Sequence, residues 1–132
     1  MGLGFPCGAE LEKLALKSEK NFKINVRLKD GDCCLSGIEN QCKNMLDAGE
    51  SKEDVSLFCI ENIKFVLDKI TENLIEKFDI NNLVYAGGVM SNSIIRNYIQ
   101  NKYSSANFAL PEYSCDNAVG ISVLTYFSES LK

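Results

Sequence analysis

The chain has 132 residues, of which 45% are hydrophobic, and a net charge of −4. These values suit one globular domain, and no apolar run is long enough to span a bilayer, so we expect a cytoplasmic protein that makes no membrane contact. The acidic balance excludes tight nucleic-acid binding by this chain alone, because phosphate contacts need clustered Lys and Arg. The sequence also lacks histidine, which excludes imidazole-based catalysis by its own side chains.

Six cysteines are spread along the sequence, and no two of them form a Cys-x-x-Cys pair. This spacing does not fit a zinc site, and the other features are not those of a small secreted disulfide scaffold. We therefore expect mostly reduced and partly buried thiols.

The first third of the chain predicts two helices and a hairpin. A glycine-rich loop over residues 1–8 leads into a helix over residues 9–18. Residues 22–29 alternate between apolar and polar side chains, which predicts a half-buried strand. A turn at residues 30–32 and a second strand at residues 33–35 complete the hairpin. The next helix runs from about residue 36 to residue 48 and ends at Gly49.

The longest predicted helix follows a sequence that resembles a capping box at residues 51–54. It runs to about residue 77. Its helically spaced apolar residues predict a core stripe that packs on the sheet: Val55, Phe58, Cys59, Ile63, Val66, Leu67, Ile70, Leu74 and Phe78.

The last third predicts a β-α-β-α unit. A buried strand ends at the glycine pair Gly87 and Gly88, and a helix follows over residues 91–102. A second strand over residues 106–110, a loop over residues 111–115 and a final helix to about residue 131 complete the chain. This order predicts two neighbouring parallel strands with a right-handed crossover.

Polar residues follow both of these strands. Gly87, Gly88 and Asn92 come after the first strand, and residues 114–116 come after the second. In parallel sheets, ligands lie beyond the carboxyl ends of the strands. A glycine turn followed by a capped helix suits a phosphate or a nucleotide, although many α/β proteins use the same turn without binding a ligand.

Four segments resemble the tRNA threonylcarbamoyladenosine synthase catalytic subunit family, formerly called O-sialoglycoprotein endopeptidase or glycoprotease. Residues 86–92 with Arg96 resemble its A-G-G-V-x-x-N-x-x-L-R motif, and residues 111–118 resemble its P-x-x-x-C-T-D-N-A segment. Residues 4–15 are similar to its P-G-G-P-x-I-E-K-L-A segment, and residues 35–38 stand in the place of F-S-G-L-K. The four segments occur in the family's order and span the chain.

The resemblance implies an α/β fold that is one half of an actin-like ATPase (ribonuclease H-like) fold, with a mixed sheet that contains the hairpin. Residues 1–132 would form a single domain, the C-terminal part of a two-lobed enzyme whose N-terminal lobe is absent. Five residues are implied to contact an adenylate: Gly8, Glu12, Gly87, Gly88 and Asn92. Asp116 matches the family's aspartate metal ligand.

The implied reaction transfers threonylcarbamoyl from threonylcarbamoyl-AMP to the adenine beside the tRNA anticodon. The family's divalent metal (iron, zinc or magnesium) also needs two histidines of an H-x-x-x-H motif in the N-terminal half, which this sequence lacks. We therefore expect the chain to be inactive alone and assign it no catalytic residue. Its expected partners are the missing N-terminal lobe and paralogous or accessory subunits of a tRNA-modifying complex, and tRNA only through that assembly.

Several positions depart from the family pattern and leave alternatives open. Cys7 and Ala9 replace a glycine and a proline, and Glu39 and Asn40 replace a lysine and a threonine. These changes favour a non-catalytic paralogue that acts in assembly, whereas the retained Asn92 and Asp116 favour part of an active transferase. A sugar-kinase-like fragment would need a different adenosine motif. Asn92 and Asp116 also suit plain helix caps, and Glu12 suits a solvated acid in a first helical turn.

Overall fold

The computed structural model describes residues 1–26, 28, 33, 35–114 and 118–130. Within this part of the chain lie six α-helices, one 3₁₀ helix (Gly88–Ser91) and two strands. The α-helices are α1 (Gly8–Ala15), α2 (Ser36–Asp47), α3 (Lys52–Phe78), α4 (Ser93–Lys102), α5 (Pro111–Ser114) and α6 (Ala118–Ser130). The strands are β1 (Leu83–Tyr85) and β2 (Ala106–Phe108).

Local signals set the boundaries of the first long helices. Gly49, at a φ of +85°, follows the end of α2 in the left-handed region that glycine adopts most easily. The Ser51 hydroxyl accepts a hydrogen bond from the Asp54 N–H at 3.1 Å, so Ser51 caps α3. The predicted end of α2 and the predicted start of α3 are both confirmed.

The sheet positions the start of α4. Strands β1 and β2 pair in parallel, with Leu83 opposite Ala106 and Tyr85 opposite Phe108, as the β-α-β order predicts. The rings of Tyr85 and Phe108 stack with their centroids 4.9 Å apart. On β1, between Leu83 and Tyr85, Val84 is 77% exposed, so the other face of the sheet is not covered by the described residues.

The core joins α1, α3, the 3₁₀ helix and α4. Its buried members are Ala15, Ile60, Met90, Ile95 and Ile99. The α3 stripe is buried at Val55 and Val66, but Leu74 is 42% exposed and Phe78 59% exposed. The predicted stripe is therefore wrong at its C-terminal end, where the described elements leave these side chains uncovered.

The predicted hairpin and the mixed sheet are wrong over the described residues, because residues 22–26, 28, 33 and 35 belong to no strand. The turn at residues 30–32 lies outside the described residues. The predicted alternation of side chains is seen in their burial instead, because Phe22, Ile24 and Val26 are half-buried. The Phe22 ring packs edge-on against Phe58 of α3, with centroids 5.3 Å apart. Side-chain packing on α3 thus replaces strand pairing, since two isolated strands are only marginally stable.

Two predictions in the last third need correction. Residues 111–114, predicted as a loop, form α5, which begins at Pro111; proline suits the first position of a helix. Helix α4 begins at Ser93 rather than at residue 91, because the 3₁₀ helix comes first and Asn92 is extended. No helix among the described residues has the length and apolar character needed to cross a membrane.

The described thiols (Cys7, Cys33, Cys42 and Cys59) are free. Burial, together with the neighbouring Cys42 thiol, raises the pKa of Cys59 to about 11. Cys59 therefore stays protonated near neutral pH, and a protonated thiol is a poor nucleophile.

Candidate functional site

The candidate site is built around the start of α4. The chain leaves β1, turns at Gly87 with a φ of +109°, passes through the 3₁₀ helix and becomes extended at Asn92. The Asn92 side-chain oxygen accepts a hydrogen bond from the Ile95 N–H at 3.2 Å. Asn92 is thus the N-cap of α4, and its side-chain NH₂ group remains a donor that a ligand can use.

Glu12 of α1 reaches the same helix start. One of its carboxylate oxygens, Oε1, accepts a hydrogen bond from the Ser93 N–H at 2.9 Å and another from the Ser93 hydroxyl. Helices α1 and α4 both pack on α3, and Ala15, Ile95 and Ile99 belong to one buried core cluster that supports this contact. Two motif segments that lie far apart in the sequence therefore meet in the fold.

Two of the first donors of α4, the Ser93 and Ile95 N–H groups, are engaged by the protein's own side chains. The helix dipole favours negative charge at this end, and the Glu12 carboxylate supplies it. Two of the donors that a phosphate could use at this helix start are therefore already occupied, and the phosphate or nucleotide cradle stays a prediction. A carboxylate and an amide are suited to the hydroxyl groups of a sugar rather than to a phosphate.

The glycines leave room beside these groups. A Cβ placed on Gly8 or on Gly87 would meet no atom of the described residues within 4 Å. Gly8 is the first residue of α1, and Gly88 begins the 3₁₀ helix. The space at Gly8 and Gly87 lets a ligand approach the backbone closely.

Two further motif residues take definite places. The Ser91 hydroxyl is buried and has no hydrogen-bond partner among the described residues. A buried hydroxyl without a partner costs about 1–3 kcal/mol, so Ser91 is a polar group whose hydrogen bond the described residues do not supply. The Arg96 guanidinium lies 5.1 Å from the centre of the Phe108 ring, an arrangement that ties α4 to the end of β2.

Asp116 lies outside the described residues, so its predicted place on the same rim as Asn92 stays a prediction. Helix α5, which ends at Ser114, packs against the 3₁₀ helix. In the part of the chain that the structure describes, no three Cys, Asp or Glu side chains come together as a metal site would require. The described side chains therefore do not make a metal centre on their own.

A buried charged cluster that the sequence did not predict joins α3 to α4. Asp68, only 7% exposed, accepts hydrogen bonds from the Tyr98 hydroxyl at 2.9 Å and from the Tyr103 hydroxyl at 2.6 Å. It also pairs with the Lys102 ammonium at 2.7 Å. Burial alone would raise the pKa of Asp68, but Lys102 and the two tyrosines outweigh it, and the pKa is lowered. The cluster is a structural clamp rather than part of the candidate site.

A cavity of about 380 Å³ lies between residues 23–26, α2 and α3. Ile24, Ile38 and Phe58 contribute to its lining, and none of the described site residues does. The cavity and the candidate site are therefore separate regions of the molecule.

Comparison with known proteins identifies the family. The family model described as TsaD, tRNA N6-adenosine threonylcarbamoyltransferase, matches residues 1–123. The tRNA N6-adenosine threonylcarbamoyltransferase of Mycoplasma capricolum is 34% identical over all of this chain and 46% of its own length. That of Mesoplasma florum is 35% identical over all of this chain and 45% of its own length.

A longer relative also matches. The probable bifunctional tRNA threonylcarbamoyladenosine biosynthesis protein of Methanothermobacter thermautotrophicus is 29% identical over 93% of this chain and 24% of its own length. The chain thus spans less than half of the length of each of these three relatives. On the family match and these identities, the chain belongs to the tRNA N6-adenosine threonylcarbamoyltransferase family.

Proposed function

We propose that this chain is the C-terminal part of a tRNA threonylcarbamoyltransferase and forms one wall of the site that holds threonylcarbamoyl-AMP. The observation that carries the proposal is the contact between Glu12 and Ser93. It joins the segment that resembles P-G-G-P-x-I-E-K-L-A to the segment that resembles A-G-G-V-x-x-N-x-x-L-R. A family nucleotide site needs these two segments side by side.

Each described residue has a binding role in this proposal. The second carboxylate oxygen of Glu12 accepts from the ribose hydroxyls, and the Asn92 amide donates to the adenylate. Gly8, Gly87 and Gly88 let the nucleotide approach the backbone. The chain binds and orients the adenylate, and the whole protein transfers threonylcarbamoyl to the adenine beside the tRNA anticodon. Asp116 stays a predicted ligand of iron, zinc or magnesium.

A second lobe is the proposed main partner. Exposed apolar side chains lie along α6, among them Ile121 at 58%, Leu124 at 65% and Phe127 at 56% exposed. Val84 on the open face of the sheet is a second uncovered apolar position. Extended apolar surface of this kind marks an interaction site. We propose that an N-terminal lobe covers it, in line with the actin-like architecture that the family resemblance implies, and that accessory subunits and tRNA join the complete cytoplasmic assembly.

The same exposed surface suits the alternative, a non-catalytic paralogue that acts in assembly. Co-expression distinguishes the two functions. The partner is the part of the Mycoplasma capricolum relative that this chain does not match, and the readout is threonylcarbamoyl transfer to tRNA. A transferase half restores transfer, whereas an assembly paralogue binds its partner and yields no transfer.

Asn92→Ala tests the binding site. We expect this variant to bind AMP at least about tenfold more weakly, equivalent to about 1.4 kcal/mol, because the amide donor is lost. It also removes the cap of α4, which costs about 1 kcal/mol of stability. Calorimetry with millimolar AMP measures binding, and urea unfolding measures stability.

Two control variants separate binding from stability. Asn92→Ser keeps a capping oxygen but loses the amide, so it should retain stability and still bind AMP weakly. Asn97→Ala changes an exposed residue of the same helix and should alter neither quantity. AMP binding that Asn92→Ala leaves unchanged would contradict the site assignment.

A further inference from the structure

Ser93 presents two donors to a single oxygen of Glu12. Its backbone N–H and its hydroxyl both contact Oε1, which leaves Oε2 as the acceptor for another group. We propose that Ser93 is the positioning residue that holds the Glu12 carboxylate ready to accept the ribose hydroxyls of the adenylate. This inference rests on the proposed function.

Fixing this carboxylate in advance favours ligand binding. A free glutamate side chain samples many rotamers, and fixing it on ligand binding costs conformational entropy. Two donors on one oxygen fix the carboxylate before the ligand arrives. Nucleotide binding is then not weakened by the loss of side-chain entropy. Since α1 and α4 share the buried core, Ser93 and Glu12 are held on rigid elements.

Helix capping does not by itself account for the contact. Asn92 already caps α4 through the Ile95 N–H. Ser93 is the first helical residue, a position whose N–H has no partner within the helix. Water can satisfy such an N–H, so α4 can form without Glu12. The contact therefore constrains the Glu12 side chain as well as supporting the helix.

Ser93→Pro removes both donors with little change to the helix. Proline suits the first helical position, and it restricts the preceding residue to an extended conformation. Asn92 already has that conformation, with φ −65° and ψ 124°. Ser93→Thr keeps both donors and serves as the rescue variant. Ser93→Ala keeps only the N–H and should give an intermediate effect.

Lys52→Pro is the matched proline control. Lys52 is the first residue of α3, and its capping residue Ser51 is likewise extended, with φ −63° and ψ 151°. The Lys52 side chain donates to the Met1 carbonyl oxygen at 2.9 Å and not to a residue of the candidate site. This variant measures what a proline at a helix start costs when no glutamate contact is removed.

The readout is discrimination between AMP and 2′,3′-dideoxy-AMP, measured by ligand-detected NMR on the full chain. We expect the wild type to bind AMP about tenfold more tightly, because the dideoxy compound leaves a carboxylate oxygen without its hydroxyl partners. Ser93→Pro and Glu12→Ala should lower this ratio to about twofold or less. Ser93→Thr and Lys52→Pro should retain it.

The outcomes distinguish a failure of this inference from a failure of the proposed function on which it rests. Wild-type discrimination that Glu12→Ala abolishes but Ser93→Pro and Ser93→Ala both retain would overturn the role of Ser93 alone. A wild type that does not bind AMP, or a Glu12→Ala variant that discriminates normally, would overturn the proposed function and the inference with it. If Ser93→Pro fails to fold by circular dichroism, Ser93→Ala against Ser93→Thr decides the question.

Discussion

Asp68→Ala should lower the free energy of unfolding by about 3 kcal/mol, because it removes the acceptor of a buried cluster. The Tyr98 and Tyr103 hydroxyls would each lose a charge-assisted hydrogen bond. Lys102 contributes less, because its side chain is 35% exposed and it keeps its contact with Glu72 at 2.7 Å. Urea unfolding followed by circular dichroism measures the change.

The same cluster predicts a pH dependence. The pKa of Asp68 is lowered in the folded protein, so its contribution is fully present above the unfolded pKa of about 3.9. That contribution is lost as the pH falls through the lowered folded-state pKa. The wild type should therefore lose more stability on acidification than Asp68→Ala does.

A carboxylate outside the cluster provides the control. Asp47→Asn alters an exposed residue at the end of α2 and should change the free energy of unfolding by less than about 0.5 kcal/mol. Equal losses of unfolding free energy in Asp68→Ala and Asp47→Asn would show that the clamp between α3 and α4 is not formed in solution.

Ile99→Ala should lower the free energy of unfolding by about 3–4 kcal/mol, because it opens a cavity in the core. Ile99 has an exposed fraction of 0% and lies in the cluster that joins α1, α3 and α4. Ile99→Val removes a single methylene group, and we expect a loss of about 1 kcal/mol. Chemical denaturation of both variants gives the comparison.

Ile121→Ala is the matched control for this core substitution. Ile121 has the same side chain but is 58% exposed on α6, so we expect a change of less than about 0.5 kcal/mol. A loss as large as that of Ile99→Ala would mean that α6 packs on the domain. It would also remove the uncovered surface that supports a second lobe.

Elements set by local chemistry could be predicted from the sequence. Gly49 ends α2 and Ser51 caps α3 through their own backbone and side chains, so their roles need no distant partner. The parallel pairing of β1 and β2 follows from the order of strands and helix. The hairpin prediction was wrong because the alternation of apolar and polar residues indicates which side chains face inward. It does not indicate whether a partner strand exists.

Long-range contacts could not be predicted from the sequence patterns. Asp68 is a charged residue among the apolar positions of α3, and its partners follow about thirty residues later. Nothing local shows that α4 brings them together. Ser93 was missed for the same reason, since its partner Glu12 lies on a helix near the start of the chain. The family motifs indicated Glu12 and Asn92 as separate candidate binding residues. The fold shows that both side chains contact the start of the same helix, α4.

Backbone amide shifts recorded during an AMP titration of the full chain test the central claim most directly. We predict that the largest changes cluster at Gly8, at residues 87–93 and on the first turn of α4, and that Glu12→Ala makes them smaller at the same AMP concentration. Changes centred on the cavity lined by Ile24, Ile38 and Phe58, or no changes at millimolar AMP, would contradict the account.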